Sequence, residues 1–518
     1  MTRAKAFYPE IFAICLAVIV LEIGYTRIFS FKVFYYFTYL IIGLALLGLG
    51  TGGVLVAIFP RLRGAAPSRV VSTCGLLGSA VVLVGYFVIA RTQLNAFYLT
   101  SSLVEVWKLS AIALCLFLPF LAAGIVIATI FSARPEAINR LYCADLLGAG
   151  LGCALAVPLI YLLTPPGCVM LAGLVFAIAG IAGSGWRDRR TLTWGVPVAA
   201  ALALALAFRG ALPDPVADAM KTLGSYDPGA SPVAFSRWSP VFRVDVMPNP
   251  FTPSATNYII SHDGNWGSVL HRFDGNLASL ARFDRDPRAL PFDVVKRGPK
   301  VLIIGSAGGH EILASLYFGA GHVTAVELNP VTLSLLTDHF AEYSGHLGEN
   351  ERVTLVNAEG RSYLNRTGEK YDLIWFVAPD SYAAMNAATA GAFVLSESYL
   401  YTVEMVNQSL DHLEQGGVIC VQFGELDFAA KPNRTVRYLA TAREAFRRRG
   451  RDDFARQVVV ATSWGLMDFA TIMLKKTPFT ADEVRRFAER EPLHQPVPAV
   501  VRRRRRLSGL LALPRGQP

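Results

Sequence analysis

Val301-Leu302-Ile303-Ile304-Gly305-Ser306-Ala307-Gly308-Gly309-His310 is the stretch on which the fold turns. Its continuous apolar run, β-branched at Val301, Ile303 and Ile304, reads as a strand buried on both faces. The glycines end that strand in a tight turn that opens a helix, and they let a ligand approach backbone N–H groups closely. Glu327 follows Gly305 by 22 residues at the end of the next apolar run. An acid there is placed to accept hydrogen bonds from two ribose hydroxyls. Asn357-Ala358-Glu359-Gly360 ends a third run, where a polar side chain could reach an adenine edge. Each signal alone also occurs in plain α/β packing. In this order, each at the C-terminal end of a strand, they point to an adenosine-type ligand.

Around this centre, strands are expected at Lys300–Ile304, His322–Glu327, Arg352–Val356, Tyr371–Phe376 and Gly417–Phe423, with helices near 309–318, 330–343 and 399–414. Apolar strands alternating with helices predict a parallel sheet covered on both faces. A last pair, Arg456–Ala461 and Thr471–Leu474, would add an antiparallel edge. Upstream, 211–299 reads as a small β-rich lead-in with strand-like runs at Val241–Met247 and Asn257–Ser261. The α/β domain is expected over 300–480 and a basic tail over 481–518.

The N-terminal part has a different character. The chain is 518 residues, 53% hydrophobic and 17% charged, with a net charge of +10. That composition excludes a disordered chain and argues against an ordinary soluble enzyme. Residues 1–210 carry 15 Lys and Arg against 6 Asp and Glu, and residues 211–497 carry 28 against 33. The last 21 residues carry 6 Arg and no acid. The positive charge therefore flanks an acidic domain, and a nucleic-acid surface is not expected. Seven apolar runs, about 9–29, 38–59, 70–90, 109–131, 144–163, 167–185 and 192–208, approach the ~20 residues that cross a bilayer. A multi-pass α-helical membrane domain over 1–210 follows, with the bilayer as partner. Glycines crowd the second and fifth runs, as close helix packing in lipid requires. Glu22, Arg27 and Asp145 lie in or near spans, as interhelical pairs, interfacial groups or the lining of a path.

Ten basic residues sit at the N-terminus and in alternate loops (Arg3, Lys5, Arg61, Arg63, Arg69, Arg134, Arg140, Arg187, Arg189 and Arg190). The positive-inside rule puts that side in the cytoplasm. Seven spans would then leave the C-terminal domain outside, whereas the Arg502–Arg506 run would suit anionic lipid on the cytoplasmic side. The side stays open. Six of seven cysteines fall in or beside the spans, leaving only Cys420 in the later domain, so redox chemistry does not name the compartment.

Residues about 235–475 resemble the spermidine synthase (aminopropyltransferase) family, through Val301–Gly309, Val323–Pro330, Arg352–Arg361, Tyr371–Asp380, Leu400-Tyr401-Thr402 and Gly416-Gly417-Val418. The whole chain resembles the bacterial form in which such a domain follows a multi-span region, including the Tyr142–Gly148 stretch. The resemblance implies a class I methyltransferase-like, Rossmann-type fold and a multi-pass protein of the bacterial inner membrane. It also implies decarboxylated S-adenosylmethionine or S-adenosylmethionine as co-substrate, a small-molecule amine acceptor, no metal, and room for a homodimer. By this resemblance Gly305, Ser306, Gly308 and Gly309 line the nucleotide, Glu327 holds the ribose, and Glu359 and Gly360 lie near adenine. Asp380 is the candidate catalytic acid for the acceptor amine, with Tyr382 and Tyr401 on the acceptor side.

The departures are specific. The soluble enzymes carry an Asp where Gly308 stands and another where Val377 stands, and only the following acid, Asp380, is retained. Their Tyr-His-Glu hairpin signature is missing around Ser261–Phe273, which offers His262, Asp263 and His271. His310 and Glu311, beside the glycine turn, are candidates to replace the lost acid. Ile303 stands where methyltransferases often carry Asp. The readings in play are an aminopropyl transferase, a methyltransferase on a membrane-borne acceptor, and a non-catalytic ligand-binding or transport protein.

Overall fold

The computed structural model describes residues 6–33, 37–185, 188–223, 226, 232–249, 257–377, 400–425, 428–463 and 468–490. The chain divides into two compact units, Met1–Pro250 with Ser261–Trp266, and Phe251–Ile260, Gly267–Ser381 and Leu395–Pro518.

Among the described residues of the first unit, six helices are long and apolar enough to cross a membrane. They are α1 Tyr8–Lys32, α2 Thr38–Ile58, α3 Pro67–Arg91, α4 Leu103–Ala133, α5 Ile138–Ser184 and α6 Arg189–Ala207. Helix α5 has 47 residues. Unbroken, it would run about 70 Å, more than twice the hydrocarbon core of a bilayer. Thr164 breaks it, with φ 64° and ψ 162°, just before Pro165 and Pro166. The two segments correspond to the fifth and sixth expected runs, so six helices carry seven apolar segments. The glycines mark contacts no side chain could enter. A Cβ on Gly148 would lie 2.3 Å from the Phe12 carbonyl, and one on Gly52 2.5 Å from the Ile125 nitrogen.

Arg27 of α1 is buried and reaches outside the helices for its partner. Its Nη2 lies 3.1 Å from Asp263 Oδ1, and Nη1 donates to Asp263 Oδ2 and to Ser30. Lys221 is fully buried and donates to the carbonyls of Ser30, Phe31 and Asp263, each at 2.8 Å. Burial brings its ammonium down to about 7, against the pull of Asp263 and Asp218.

Strands β1 Phe235–Arg237, β2 Val244–Pro248, β3 Asn257–His262 and β4 Asn265–His271 form a four-stranded sheet in sequence order. The two residues between β3 and β4, Asp263 and Gly264, both have positive φ (46° and 81°), the geometry of a tight hairpin turn.

The α/β region of the second unit holds β5 Lys300–Ile304, β6 His322–Glu327, β7 Val353–Asn357, β8 Tyr371–Phe376, β9 Leu413–Glu425, β10 Val458–Ser463 and β11 Asp468–Lys475. The sheet order is β10-β11-β9-β8-β5-β6-β7. Strands β7, β6, β5, β8 and β9 are parallel, and β11 and β10 add antiparallel pairs. Helices α7 His310–Tyr317, α8 Pro330–Ser334 and α9 Gly360–Arg366 each follow a parallel strand, with α10 Val403–Asp411 preceding β9 and α11 Asn433–Arg448 following it. Val301 to Ile304 are all at most 4% exposed, as a strand covered on both faces requires. Strand order reverses between β5 and β8, and ligands of open α/β sheets bind outside such a point.

Candidate functional site

The glycine turn lies at that reversal. The Gly305 and Ser306 N–H groups both donate to the Val326 carbonyl, which lashes the turn to the end of β6. Gly309, at φ 81°, caps α7 in a conformation that a side chain would strain. Ser306 is 1% exposed, and its Oγ has no hydrogen-bond partner among the described residues. A buried hydroxyl left unsatisfied costs about 1–3 kcal/mol, so it marks a place that a polar ligand or water completes.

Glu327 ends β6 buried beside the turn. Its Oε2 accepts from the Ala307 N–H at 3.0 Å and its Oε1 from the Asn329 N–H at 2.9 Å. Burial pushes its carboxyl above the ordinary value, against the pull of the Asn329, Ala307 and Leu328 amides. Those amides fix the carboxylate in place, and each oxygen keeps a lone pair for a ligand hydroxyl.

The third element is tied differently from the first two. The Asn357 side-chain amide donates to the Glu327 and Leu328 carbonyls at 2.9 and 3.0 Å and holds the loop after β6. Glu359 caps α9, accepting from the Arg361 N–H at 2.9 Å and the Ser362 N–H at 2.7 Å. A Cβ on Gly360 would lie 2.5 Å from Ile304 Cγ2, so this glycine lets α9 press against the end of β5.

Gly308 is where the strand pair β3–β4 reaches the turn. A Cβ there would lie 2.2 Å from the Val269 carbonyl oxygen and 2.9 Å from Ile260 Cδ1. The Gly308 N–H points to Ser268 Oγ at 3.4 Å. No aspartate fits at this position. Backbone of β4 fills the space into which its side chain would project.

His310 and Glu311 open α7 and face the lead-in segment. Glu311 is 2% exposed and ion-paired with Arg288. His310 Nδ1 lies 2.9 Å from His271 Nε2, and His310 Nε2 lies 2.8 Å from Asp286 Oδ2. Phe283 packs edge-on against the His310 ring at 5.0 Å. Tyr401 lies in the apolar core, its ring 5.4 Å from Phe423 and 6.2 Å from Tyr438. Asp380 and Tyr382 lie outside the described residues. Among the described residues no cluster of three or more His, Cys, Asp or Glu side chains could hold a metal ion.

Residues 289–447 match the spermine/spermidine synthase domain family. A polyamine aminopropyltransferase of Korarchaeum cryptofilum is 35% identical over 83 residues, 16% of this chain and 26% of that protein. The C-terminal region carries a spermidine synthase domain. A polyamine aminopropyltransferase 2 of Hyperthermus butylicus is 28% identical to the chain over 124 residues, 24% of this chain and 37% of that protein. The chain thus spans between 26% and 37% of the length of these curated relatives. Among solved structures, the spermidine synthase of Thermotoga maritima and a spermidine synthase bound to the transition state analogue AdoDATO each align with TM-score 0.35 and 17% identity. Each alignment covers 52% of this chain and 86% of the solved one. In the synthase domain the glycine turn, Glu327 and the Glu359-Gly360 pair stand in a row along the C-terminal edge of β5, β6 and β7.

Proposed function

We propose that this protein is a membrane-anchored aminopropyltransferase that moves the aminopropyl group of decarboxylated S-adenosylmethionine to a small amine. The observation that supports this most is the pairing of the orphaned Ser306 hydroxyl with the amide-fixed Glu327 carboxylate, inside a region that matches the synthase domain. In this reading the backbone of Gly305, Ser306, Gly308 and Gly309 receives the nucleoside, and Glu327 accepts from the ribose hydroxyls. Gly360 keeps the adenine side open, with Glu359 as the cap behind it. Asp380 holds the acceptor ammonium, with Tyr382 beside it. The six apolar helices anchor the chain in a bilayer, the inner membrane of a bacterium. The excess of acid in 211–497 suits a cationic co-substrate and a cationic acceptor.

The Val269 carbonyl against Gly308 favours one second reading. Without a carboxylate there, a methyl transfer from intact S-adenosylmethionine is the alternative reaction. Isothermal titration of the full chain in detergent separates the two. Tighter binding of the decarboxylated nucleoside supports aminopropyl transfer, and tighter binding of the intact one supports methylation. Glu327→Ala should weaken either ligand about 100-fold, since it removes two charge-assisted hydrogen bonds. Binding of neither ligand by a folded chain would remove both readings.

A further inference from the structure

The synthase domain lacks the aspartate its family carries at Gly308, yet it holds a titratable chain that nothing above has used. Asp286, His310 and His271 stand in line, 2.8 Å and then 2.9 Å apart. The chemistry of the three groups fixes the direction of the line. A carboxylate only accepts, so His310 Nε2 carries a proton and donates to Asp286. In the neutral ring Nδ1 of His310 is then an acceptor, and His271 Nε2 donates to it. Nδ1 of His271 is left with a lone pair, and among the described residues it has no partner. His271 lies two residues beyond Val269, whose carbonyl abuts Gly308, and His310 directly follows Gly309. Both rings are therefore attached to the glycine turn itself.

We infer that His271 is the general base of the transfer, accepting a proton from the acceptor ammonium at Nδ1, with His310 and Asp286 as positioning residues behind it. The inference rests on the transferase reading. The ammonium gives its proton to His271 Nδ1. His271 passes its own Nε2 proton to His310 Nδ1, and the charge comes to rest on His310 beside the Asp286 carboxylate. The amine lone pair then forms a bond to the propyl carbon, the C–S pair returns to sulfur, and the sulfonium charge is lost. The proton held by the pair leaves to solvent.

The electrostatics agree with a line that accepts one proton. Burial tends to raise the Asp286 carboxyl, but His310, the Arg288 N–H and the Arg288 guanidinium outweigh it and hold it at about 2. Burial, then His310 and Arg282, with a smaller push from Arg288, bring His271 down to about 2 against the pull of Asp286. With the proton resting on His310, a second proton on His271 is refused.

The test uses the full chain in detergent with putrescine as acceptor and decarboxylated S-adenosylmethionine as donor. His271→Gln should keep nucleoside affinity within about threefold, which also reports that it folds, and lose kcat about 100-fold at neutral pH. The deficit should shrink as pH rises, because an acceptor that arrives deprotonated needs no base. Asp286→Asn should lose kcat with KM unchanged, and Asp286→Glu should recover most of it. Diethyl pyrocarbonate, mapped by mass spectrometry, should modify His271 before His310, and decarboxylated S-adenosylmethionine should slow that modification. A His271→Gln chain with wild-type turnover, a deficit that is the same at every pH, or a His271 that resists the reagent overturns the relay. Failure of the wild-type chain to bind the nucleoside overturns instead the transferase reading beneath it.

Discussion

Gly308 shows how one residue can be legible as a departure and still conceal its cause. Its place in the turn can be read from Val301–Gly309, and so can the loss of the family's aspartate. The reason is the carbonyl of Val269, which arrives from another strand at 2.2 Å from any Cβ. No local pattern announces such a contact. It makes a definite prediction. Gly308→Ala must push backbone rather than a flexible side-chain end, and overpacking of that kind costs about 1–3 kcal/mol. A fall in thermal midpoint by several degrees in detergent is expected, and an unchanged midpoint would show that β4 yields freely. Gly308→Asp, which restores the family residue, should destabilise further and bring no gain in aminopropyl transfer. Glu327, by contrast, was readable in full, because spacing and strand ends place an acid without help from distant chain.

Most elements of the α/β region were readable for the same local reason. Lys300–Ile304, His322–Glu327 and Tyr371–Phe376 match the observed strands to the residue, since continuous apolar runs bounded by turns leave little freedom. Strand β4 was not expected, although Asp263-Gly264 is the strongest hairpin signal a short stretch can carry. Gly267, Ser268 and His271 blur the alternation that would have revealed it. Helix α11 also lies beyond the expected elements, despite buried Tyr438, Ala442, Ala445 and Phe446 at helical spacing. Arg27 looked like an intramembrane charge awaiting a helical partner, and its partner is the hairpin. Removing one member of a buried ion pair leaves the other uncompensated, at about 3–5 kcal/mol. Arg27→Met and Asp263→Asn should each lower denaturant stability in detergent by that order, and the double variant should lose less than their sum. Strict additivity would mean that the two side chains do not act as a pair.

For the whole molecule, the decisive feature is the number of crossings, and the break at Thr164 sets it. A 47-residue helix cannot cross a bilayer once without a long overhang, whereas segments of 138–163 and 165–184 can each cross. Two crossings there make seven in all and put the two ends of the chain on opposite faces. The basic loops assign the N-terminal face to the cytoplasm, so the synthase domain belongs on the other side. The net charge of +10 is then mainly an orientation signal around the spans, with the rest in an arginine tail. A reporter that is fluorescent only in the cytoplasm should stay dark when fused after Pro518, and a phosphatase active only outside should be active there. Fusions within 60–66 should give the reverse pattern. A fluorescent C-terminal fusion would require an even number of crossings. The shortest correction would let one half of the 138–184 helix enter and leave on the same face, which Thr164, Pro165 and Pro166 would permit.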